Sequence, residues 1–187
     1  MEILTARRVI SPGDGDDDGV GFERILMKIT RVEIREIRMP LVRFFETSFG
    51  RTTERRIVLV RVEADGFTGW GEVTCGEHPF YSDETPATAW HILREYLVPW
   101  CLGRNWAAAS EAATCFRPIR GHNMAKAALE NALWDIEAQQ KGMPLAKLIG
   151  GTQPEIPAGF PLASRTRWKN YSREFKPNAR LVISGSN

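Results

Sequence analysis

Two β-branched runs separated by one tight-turn signal constrain this chain more than any other feature of its sequence. The runs cover residues 57–62 and 67–73, and Ala64-Asp65-Gly66 stands between them. Asp-Gly between such runs predicts a β-hairpin, because the turn needs a positive φ that glycine adopts at little cost. A further strand pattern starts at Lys28, so the sequence predicts a domain that opens with a three-stranded antiparallel sheet.

The first predicted strand changes phase along its length. Val32 and Ile34 fall on one face, whereas Ile37 and Met39 fall on the other. A phase change of this kind indicates a β-bulge between the two pairs. Pro40 is predicted to end the strand.

Helical periodicity follows the sheet. Thr85 is predicted as the N-cap of a first helix, and a second short helix is predicted over residues 106–116. The third begins at Asn123, its predicted cap, and stops at Gly142. Its apolar stripe is mostly alanine, which implies that its packing partner lies close to the helix backbone. Strands followed by helices indicate an α+β fold, a sheet followed by a helical bundle.

Composition and charge indicate one globular domain and argue against one class of partner. The 187 residues include 43% hydrophobic residues, which suits one globular domain. Residues 160–187 carry six Lys or Arg against one Glu, a net of +5, so the preceding chain carries +2 − 5 = −3. This acidic body is unlike a nucleic-acid-binding domain, which has basic residues clustered on its folded face. We expect no nucleic-acid partner.

The sequence also predicts the compartment. Its apolar runs are shorter than the roughly 18 residues that a membrane span needs, and its first residues lack the apolar region of a signal peptide. The three cysteines are odd in number and lie too far apart for a C-x-x-C metal site. They are typical of free thiols in a reducing compartment. We expect a cytoplasmic protein without a membrane partner.

Two predicted loops are rich in aromatic residues. One covers residues 44–56 between the first two strands, and the other covers residues 75–85 after the sheet. Such loops either tuck against the core or cover a ligand, since binding residues concentrate on loops that a rigid scaffold holds. The sequence shows no Ser-His-Asp or Cys-His arrangement and no phosphate-binding loop, so it predicts no catalytic residue.

Four segments, in this order, resemble the N-terminal capping domain of the enolase superfamily, in its muconate-lactonizing branch. They read MKITRVEIREIRMPL, ETSFGRTTERRIVLVRVEADGFTGWGEVT, PFYSDET and AKAALENALWDIEAQQKGMPLAKLIGG. The segments ETSFG and GEVTCGEHPFYSDET are most similar to o-succinylbenzoate synthases and N-succinylamino acid racemases. The resemblance covers residues 27–159.

The resemblance implies a two-domain enzyme, with this α+β cap followed by a (β/α) barrel that carries the chemistry. In the family, lysines act as acid and base, and carboxylates hold the Mg²⁺ that stabilises an enediolate. The implied substrate is a small carboxylate, which is dehydrated in menaquinone synthesis or, as an N-acylamino acid, racemised. Dipeptide epimerases and muconate cycloisomerases remain alternatives. The implied substrate-binding residues of the cap are Phe45, Thr47, Ser48, Phe49, Gly50, Phe80 and Tyr81.

The chain departs from the family after Gly159. A barrel needs roughly 200 further residues, and residues 160–187 contain neither a KxK motif nor a series of carboxylates. The resemblance therefore assigns no catalytic residue and no metal ligand here. We expect the Mg²⁺ ligands of the intact enzyme to be absent and this chain alone to be inactive. Its uncovered barrel-facing surface is expected to self-associate.

One lost base near the codon of Gly159 accounts for this ending. Read one base back with suitable wobble choices, residues 160–187 contain SLEELLARI, an amphipathic helix with a Ser-x-x-Glu capping box. We therefore predict a frameshifted, disordered tail over 160–187 and a disordered extension over 1–26, with Met27 as the true start. The alternative is a cap-only module that binds a small ligand or a protein, with a basic tail.

Overall fold

An antiparallel sheet with helices packed on one face forms the part of the chain that the structure, a computed structural model, describes: residues 2–5, 26–47 and 50–155. The strands are β1 (Glu2–Thr5), β2 (Met27–Thr47), β3 (Gly50–Ala64), β4 (Phe67–Val73) and β5 (Asn105–Trp106). The helices are α1 (Pro86–Ile92), the π-helical segment Leu93–Leu97, α2 (Val98–Cys101), α3 (Glu111–Cys115), α4 (Asn123–Gln140) and α5 (Leu145–Leu148). The predicted α+β class is confirmed.

The strand order β1-β2-β3-β4 extends the predicted three-stranded meander by one strand. Strand β1 pairs antiparallel with Arg31–Ile34 of β2, and β5 pairs with the first two residues of β2. Residues 2–5 therefore differ from the disordered extension predicted for residues 1–26. Residues 1 and 6–25 of that extension, and the predicted tail, lie outside the described residues.

The hairpin between β3 and β4 is built as its sequence predicts. Asp65 and Gly66 both have positive φ, 49° and 84°, as the two central residues of a tight hairpin turn require. The Asp65 carboxylate also accepts a hydrogen bond from the Lys28 backbone N–H at 2.9 Å. The turn thereby holds the start of β2 against the end of β3.

Strand β2 contains two register shifts, and neither lies where the sequence predicts one. The first falls at Thr30, between the pairs Ile29–Ala64 and Arg31–Glu63, because one extra β2 residue is inserted there. The second places residues 41–44 of β2 opposite Thr53 alone. The predicted bulge between Ile34 and Ile37 is wrong, since Ile37 simply points to the outer face of the sheet.

Pro40 does not end β2, contrary to the prediction. It lies inside the strand opposite Glu54, and the second register shift begins directly after it. Because proline lacks an N–H, it is tolerated in a sheet beside a bulge or at an edge. Strand β2 therefore continues to Thr47.

The inner face of the sheet packs against α4 through backbone contacts. Val58, Val60 and Val62 of β3 are fully buried on this face, and their neighbours on β4 include Gly69 and Gly71. A Cβ at Gly71 would overlap the Ala128 carbonyl group, and one at Gly69 would overlap that of Ala132. The alanine stripe of α4 thus lies directly on two glycines, as the predicted close approach requires.

Helix α4 also satisfies the free edge of β4. The Asp135 carboxylate accepts a hydrogen bond from the Trp70 N–H at 3.1 Å, and the Gln139 amide donates to the Thr68 carbonyl at 2.8 Å. Asp135 and Gln139 are also joined to each other at 3.1 Å. Because these two side chains supply the acceptor and donor that a further strand would offer, the β4 edge is closed to strand pairing here.

The first helix begins at the predicted cap. Thr85 Oγ1 accepts from the Thr88 N–H at 3.3 Å, and Thr88 Oγ1 accepts in return from the Thr85 N–H at 2.9 Å, which forms a capping box. The helix widens at Leu93–Leu97, where the Val98 N–H donates to the Leu93 carbonyl. Pro99 follows, and it lacks the backbone N–H that would donate a hydrogen bond to the preceding turn.

The second predicted helix, over residues 106–116, is mostly wrong. Trp106 belongs to β5, and only Glu111–Cys115 is α-helical. The Trp106 side chain is fully buried, and its Nε1 donates to the Cys101 carbonyl at 3.4 Å. Burial of one large aromatic residue therefore decides the path of this segment.

We predict that Gly71→Ala destabilises the fold. The added Cβ meets helix backbone rather than a movable side chain, so α4 must shift, at a cost of about 2–3 kcal/mol or more in the free energy of unfolding. Urea denaturation monitored by tryptophan fluorescence measures the change. Gly76→Ala is the matched control, since its Cβ meets only the His78 carbonyl oxygen at 3.6 Å, an ordinary contact. Equal unfolding free energies for the two variants would contradict the packing described above.

Candidate functional site

A two-stranded ribbon extends beyond the helical layer. It consists of residues 38–47 of β2 and 50–56 of β3, and most of its side chains are exposed. The sequence predicts a loop over residues 44–56, but the structure continues the antiparallel ladder through Phe45–Thr52 to Thr47–Gly50. The candidate residues Phe45, Thr47 and Gly50 therefore lie on strands, at the tip of the ribbon. Ser48 and Phe49 lie outside the described residues.

The candidate residues at the tip share one face of the ribbon. Cross-strand partners in an antiparallel ladder point to the same side, and side chains alternate along each strand. Val58 of β3 lies on the face that packs against α4. The alternate positions Arg56, Glu54 and Thr52 therefore lie on the same face, farther out along the ribbon. Phe45 and Thr47, opposite Thr52 and Gly50, lie on that same face.

Arginines hold the aromatic residues of the tip in place. The Arg51 guanidinium lies 4.0 Å from the centre of the Phe44 ring and forms a 2.9 Å ion pair with Glu46. Arg55 lies 5.9 Å from the Phe45 ring centre. Cation–π contacts of this kind stabilise a ring that is half exposed. The rings of Phe44 and Phe45 therefore stay about half exposed, with arginine contacts in place of a buried apolar core.

The loop at residues 74–85, called here the aromatic loop, projects its aromatic residues into solvent. Phe80 is 85% exposed and Tyr81 is 90% exposed, and the ring of His78 lies 5.4 Å from that of Phe80. The sequence left open whether such a loop tucks against the core. These exposures show that Phe80 and Tyr81 do not, although Cys75 and Glu84 of the same loop are buried.

Arg56 joins the ribbon to the aromatic loop. Its guanidinium forms ion pairs with Glu36 of β2 at 2.8 Å and with Glu77 of the aromatic loop at 2.9 Å. These hydrogen bonds raise the pKa of Arg56, and the hydrogen bond from Arg56 lowers the pKa of Glu36. The two candidate segments, which are separate in sequence, thereby share one charged clamp.

Glu84 anchors the other end of the aromatic loop. Its side chain is buried, and its two carboxylate oxygens accept from the Met124 N–H at 2.7 Å and the Ala125 N–H at 3.0 Å. Glu84 thus caps α4, where a carboxylate also interacts favourably with the helix dipole. The predicted cap, Asn123, is instead the first helical residue. Because Glu84 is distant in sequence from α4, no local signal could identify it.

The described residues do not form a metal centre. No group of three His, Cys, Asp or Glu side chains in residues 2–5, 26–47 and 50–155 is arranged to hold a metal ion. The buried carboxylates already have partners: Glu33 pairs with Arg35, Glu84 caps α4, and Glu137 binds the Ala109 N–H and Lys141. These described carboxylates are therefore engaged in hydrogen bonds and ion pairs within the fold, and they do not form a set of Mg²⁺ ligands.

The three cysteines are the next feature for which the sequence makes a prediction. Cys75, Cys101 and Cys115 all carry free thiols, and burial raises the pKa of each. Reactive cysteines have lowered pKa values, and burial shifts the pKa of these three thiols in the opposite direction. Among the described helices, none has the length and apolar character to cross a membrane.

Comparison with known proteins places this architecture in one family. The model of the mandelate racemase/muconate lactonizing enzyme N-terminal domain matches residues 29–150. An o-succinylbenzoate synthase of Geobacillus kaustophilus is 42% identical over 134 residues, which cover 71% of this chain and 36% of that protein. An N-succinylamino acid racemase of Thermus thermophilus is 38% identical over 136 residues, covering 73% and 37%.

Solved structures agree with the sequence comparison. A member of the enolase superfamily from Listeria innocua superposes with a TM-score of 0.68 at 32% identity, over 71% of this chain and 36% of that structure. This chain thus spans little more than a third of the length of the proteins that it matches. The matched region contains the ribbon, the aromatic loop and α4.

We predict that Glu84→Gln destabilises the protein by about 2 kcal/mol, because the amide loses the charge and presents a donor to backbone N–H groups. Thermal or urea unfolding measures the loss. Glu72→Gln, at an exposed position on β4, is the control and is expected to change stability by less than about 0.5 kcal/mol. A variant at Glu84 as stable as this control would rule out the anchoring role.

The clamp at Arg56 predicts a pH-dependent contribution to stability. The pKa of Glu36 is lowered in the folded state. The stability that ionised Glu36 contributes is therefore complete above the pKa of the unfolded chain, about 4.3, and is lost as pH falls through the pKa of the folded state. We therefore expect the parent chain to be more stable than Glu36→Gln at pH 7, and the difference to shrink below about pH 4. Urea unfolding across pH 3–7 measures it. A difference independent of pH would contradict the assignment.

Proposed function

The chain belongs to the mandelate racemase/muconate lactonizing enzyme family of the enolase superfamily, and we propose that it is the cap of an enzyme of the o-succinylbenzoate synthase or N-succinylamino acid racemase type. Relatives with both names match the chain over nearly the same residues. The proposed reaction class is proton removal from the carbon beside a carboxylate, which leads to dehydration or to racemisation. The proposed substrate is therefore a small carboxylate.

The proposal assigns the chemistry to a barrel domain and the covering of the substrate to this cap. The described residues offer no set of Mg²⁺ ligands, so no metal-dependent step is assigned to them. We therefore propose that the chain by itself has neither synthase nor racemase activity. We also propose that residues 27–159 are the cap and that residues 160–187 are a tail that takes no part in the chemistry.

The observation that carries the proposed role is the exposure of Phe80 and Tyr81 on a loop that is anchored at both ends. Exposed aromatic rings on a loop fixed by Arg56–Glu77 and by Glu84 are positioned to contact a partner surface without large rearrangement. A cover of this kind excludes water from the bound substrate and strengthens the electrostatic interactions around it.

The ribbon tip is proposed to form the second side of the same cover. Phe45, Thr47 and Gly50 lie on one face of the ribbon, and the clamp at Arg56 links this ribbon to the aromatic loop. Ser48 and Phe49, between the two strands, are included in the proposed substrate contacts. Small and hydroxyl-bearing residues at this tip suit a pocket that must accept a polar carboxylate.

A chimera tests the proposal. Residues 27–155 of this chain replace the corresponding cap of the Geobacillus kaustophilus o-succinylbenzoate synthase, which is 42% identical over the matched region. We expect the chimera to catalyse dehydration or racemisation with added Mg²⁺, and the purified chain alone to catalyse neither. Phe80→Ala and Tyr81→Ala in the chimera are each expected to lower kcat/KM about tenfold or more, a loss of about 1.4 kcal/mol of transition-state stabilisation.

Phe67→Ala is the matched control, since Phe67 is a partly exposed aromatic residue at the hairpin turn, away from the ribbon. Its kcat/KM is expected to equal that of the unmodified chimera. A folded chimera with neither activity would overturn the assignment of this cap to such an enzyme. Full activity in the Phe80 and Tyr81 variants would overturn the role of the aromatic loop, and turnover by the chain alone would overturn its proposed inactivity.

A further inference from the structure

Strand β1 occupies a sheet edge that lies inside the family fold, although β1 itself lies outside the family match. The match begins at residue 29, whereas β1 comprises Glu2–Thr5. Its register places Glu2 opposite Ile34 and Thr5 opposite Arg31. The meander β2-β3-β4 is complete without this strand, so β1 is an added edge strand rather than part of the common core.

The edge that β1 covers is a buried part of β2. Val32 and Ile34 are fully buried on the inner face, and Glu33 is 5% exposed on the outer face. Without β1, the backbone N–H and C=O groups that point away from β3 here would have no strand partner. An uncovered edge of this kind is a template for pairing with another chain.

Neighbouring features bound this edge on the N-terminal side of Arg31. The bulge at Thr30 interrupts the ladder directly before Arg31, and β5 pairs with Met27 and Lys28 beyond it. On the other edge of the sheet, Asp135 and Gln139 already satisfy β4. Among the described strands, the Arg31–Ile34 edge is therefore the one whose pairing depends on a segment outside the family fold.

We propose that the Arg31–Ile34 edge of β2 is a strand-addition site, that residues 2–5 occupy it within the same chain, and that its alternative occupant is β2 of a second copy. Pairing between copies has complementary charge. An antiparallel pair centred on Val32 places Arg31 opposite Glu33 of the second copy at two symmetric positions. It also places the two copies of Val32 opposite each other, in a closed two-fold arrangement.

The connection between β1 and β2 makes β1 exchangeable. Antiparallel neighbours are commonly joined by two to five residues, whereas residues 6–26 lie between β1 and β2. A strand held by a long connection behaves as a tethered ligand, with an effective concentration of about the millimolar range. Because β1 has only four residues, the ladder that it contributes is small, and one substitution can release it.

Ile3→Pro in the full chain tests the proposal, with Ile3→Val as the matched control. Proline removes a backbone N–H and breaks the strand, whereas valine keeps the strand propensity. Amide hydrogen exchange over residues 31–34 and sedimentation velocity at about 10–100 µM are measured for both variants. We expect Ile3→Pro to form a dimer that Ile3→Val does not form. Adding a peptide of residues 1–8 at millimolar concentration is expected to return it to the oligomeric state of the control.

Two further results decide the assignment. Adding Arg31→Glu to Ile3→Pro places like charges opposite Glu33 of the second copy and is expected to weaken the dimer at least about tenfold. If Ile3→Pro stays in the oligomeric state of the control with unchanged exchange at residues 31–34, β1 does not occupy the edge and the proposal fails. If exchange at residues 31–34 rises at least about tenfold while the oligomeric state is unchanged, a second copy is not the alternative occupant, and the proposal is also overturned.

Discussion

The contact between α4 and the two glycines of β4 is the interaction on which the rest of the structure depends. Gly69 and Gly71 have no Cβ, so the carbonyl groups of Ala132 and Ala128 approach the strand itself. This close approach of α4 to β4 places Asp135 and Gln139 where they reach the free edge of β4. It also sets the position of the start of α4, which is the point where Glu84 binds.

The candidate site follows from that arrangement. Helix α4 packs closely on the sheet. The aromatic loop is attached at one end by the carboxylate of Glu84 to α4, and at the other by the Glu77–Arg56 ion pair to the sheet. The ribbon leaves the same sheet, and its inner face changes along its length from buried valines to Glu36, Arg38 and Glu54. Charge pairs therefore replace apolar packing where the helical layer no longer covers the strands.

Local features of the chain were predictable to different degrees. The hairpin at Asp65-Gly66 and the cap at Thr85 are short-range signals, because each depends on the conformation or hydrogen bonds of a few adjacent residues. The path of residues 105–116 was not predictable in this way, since burial of Trp106 overrides a helical pattern. The strand through Pro40 likewise depends on a register shift that only pairing with β3 creates. The sequence predicted Phe80 and Tyr81 as candidate residues, but it gave no sign of Glu84, which anchors their loop.

The sequence by itself determined the α+β class, the three strands of the meander, the alanine stripe of α4 and the family, because periodicity, turn chemistry and motif order are written in neighbouring residues. Only the tertiary structure decided that Glu84 caps α4, that Arg56 joins two separate segments, and that residues 2–5 pair with β2. These contacts join residues far apart in the chain. Their partners are selected by where the packed backbone places each charge and each open hydrogen-bonding group, which no local pattern encodes.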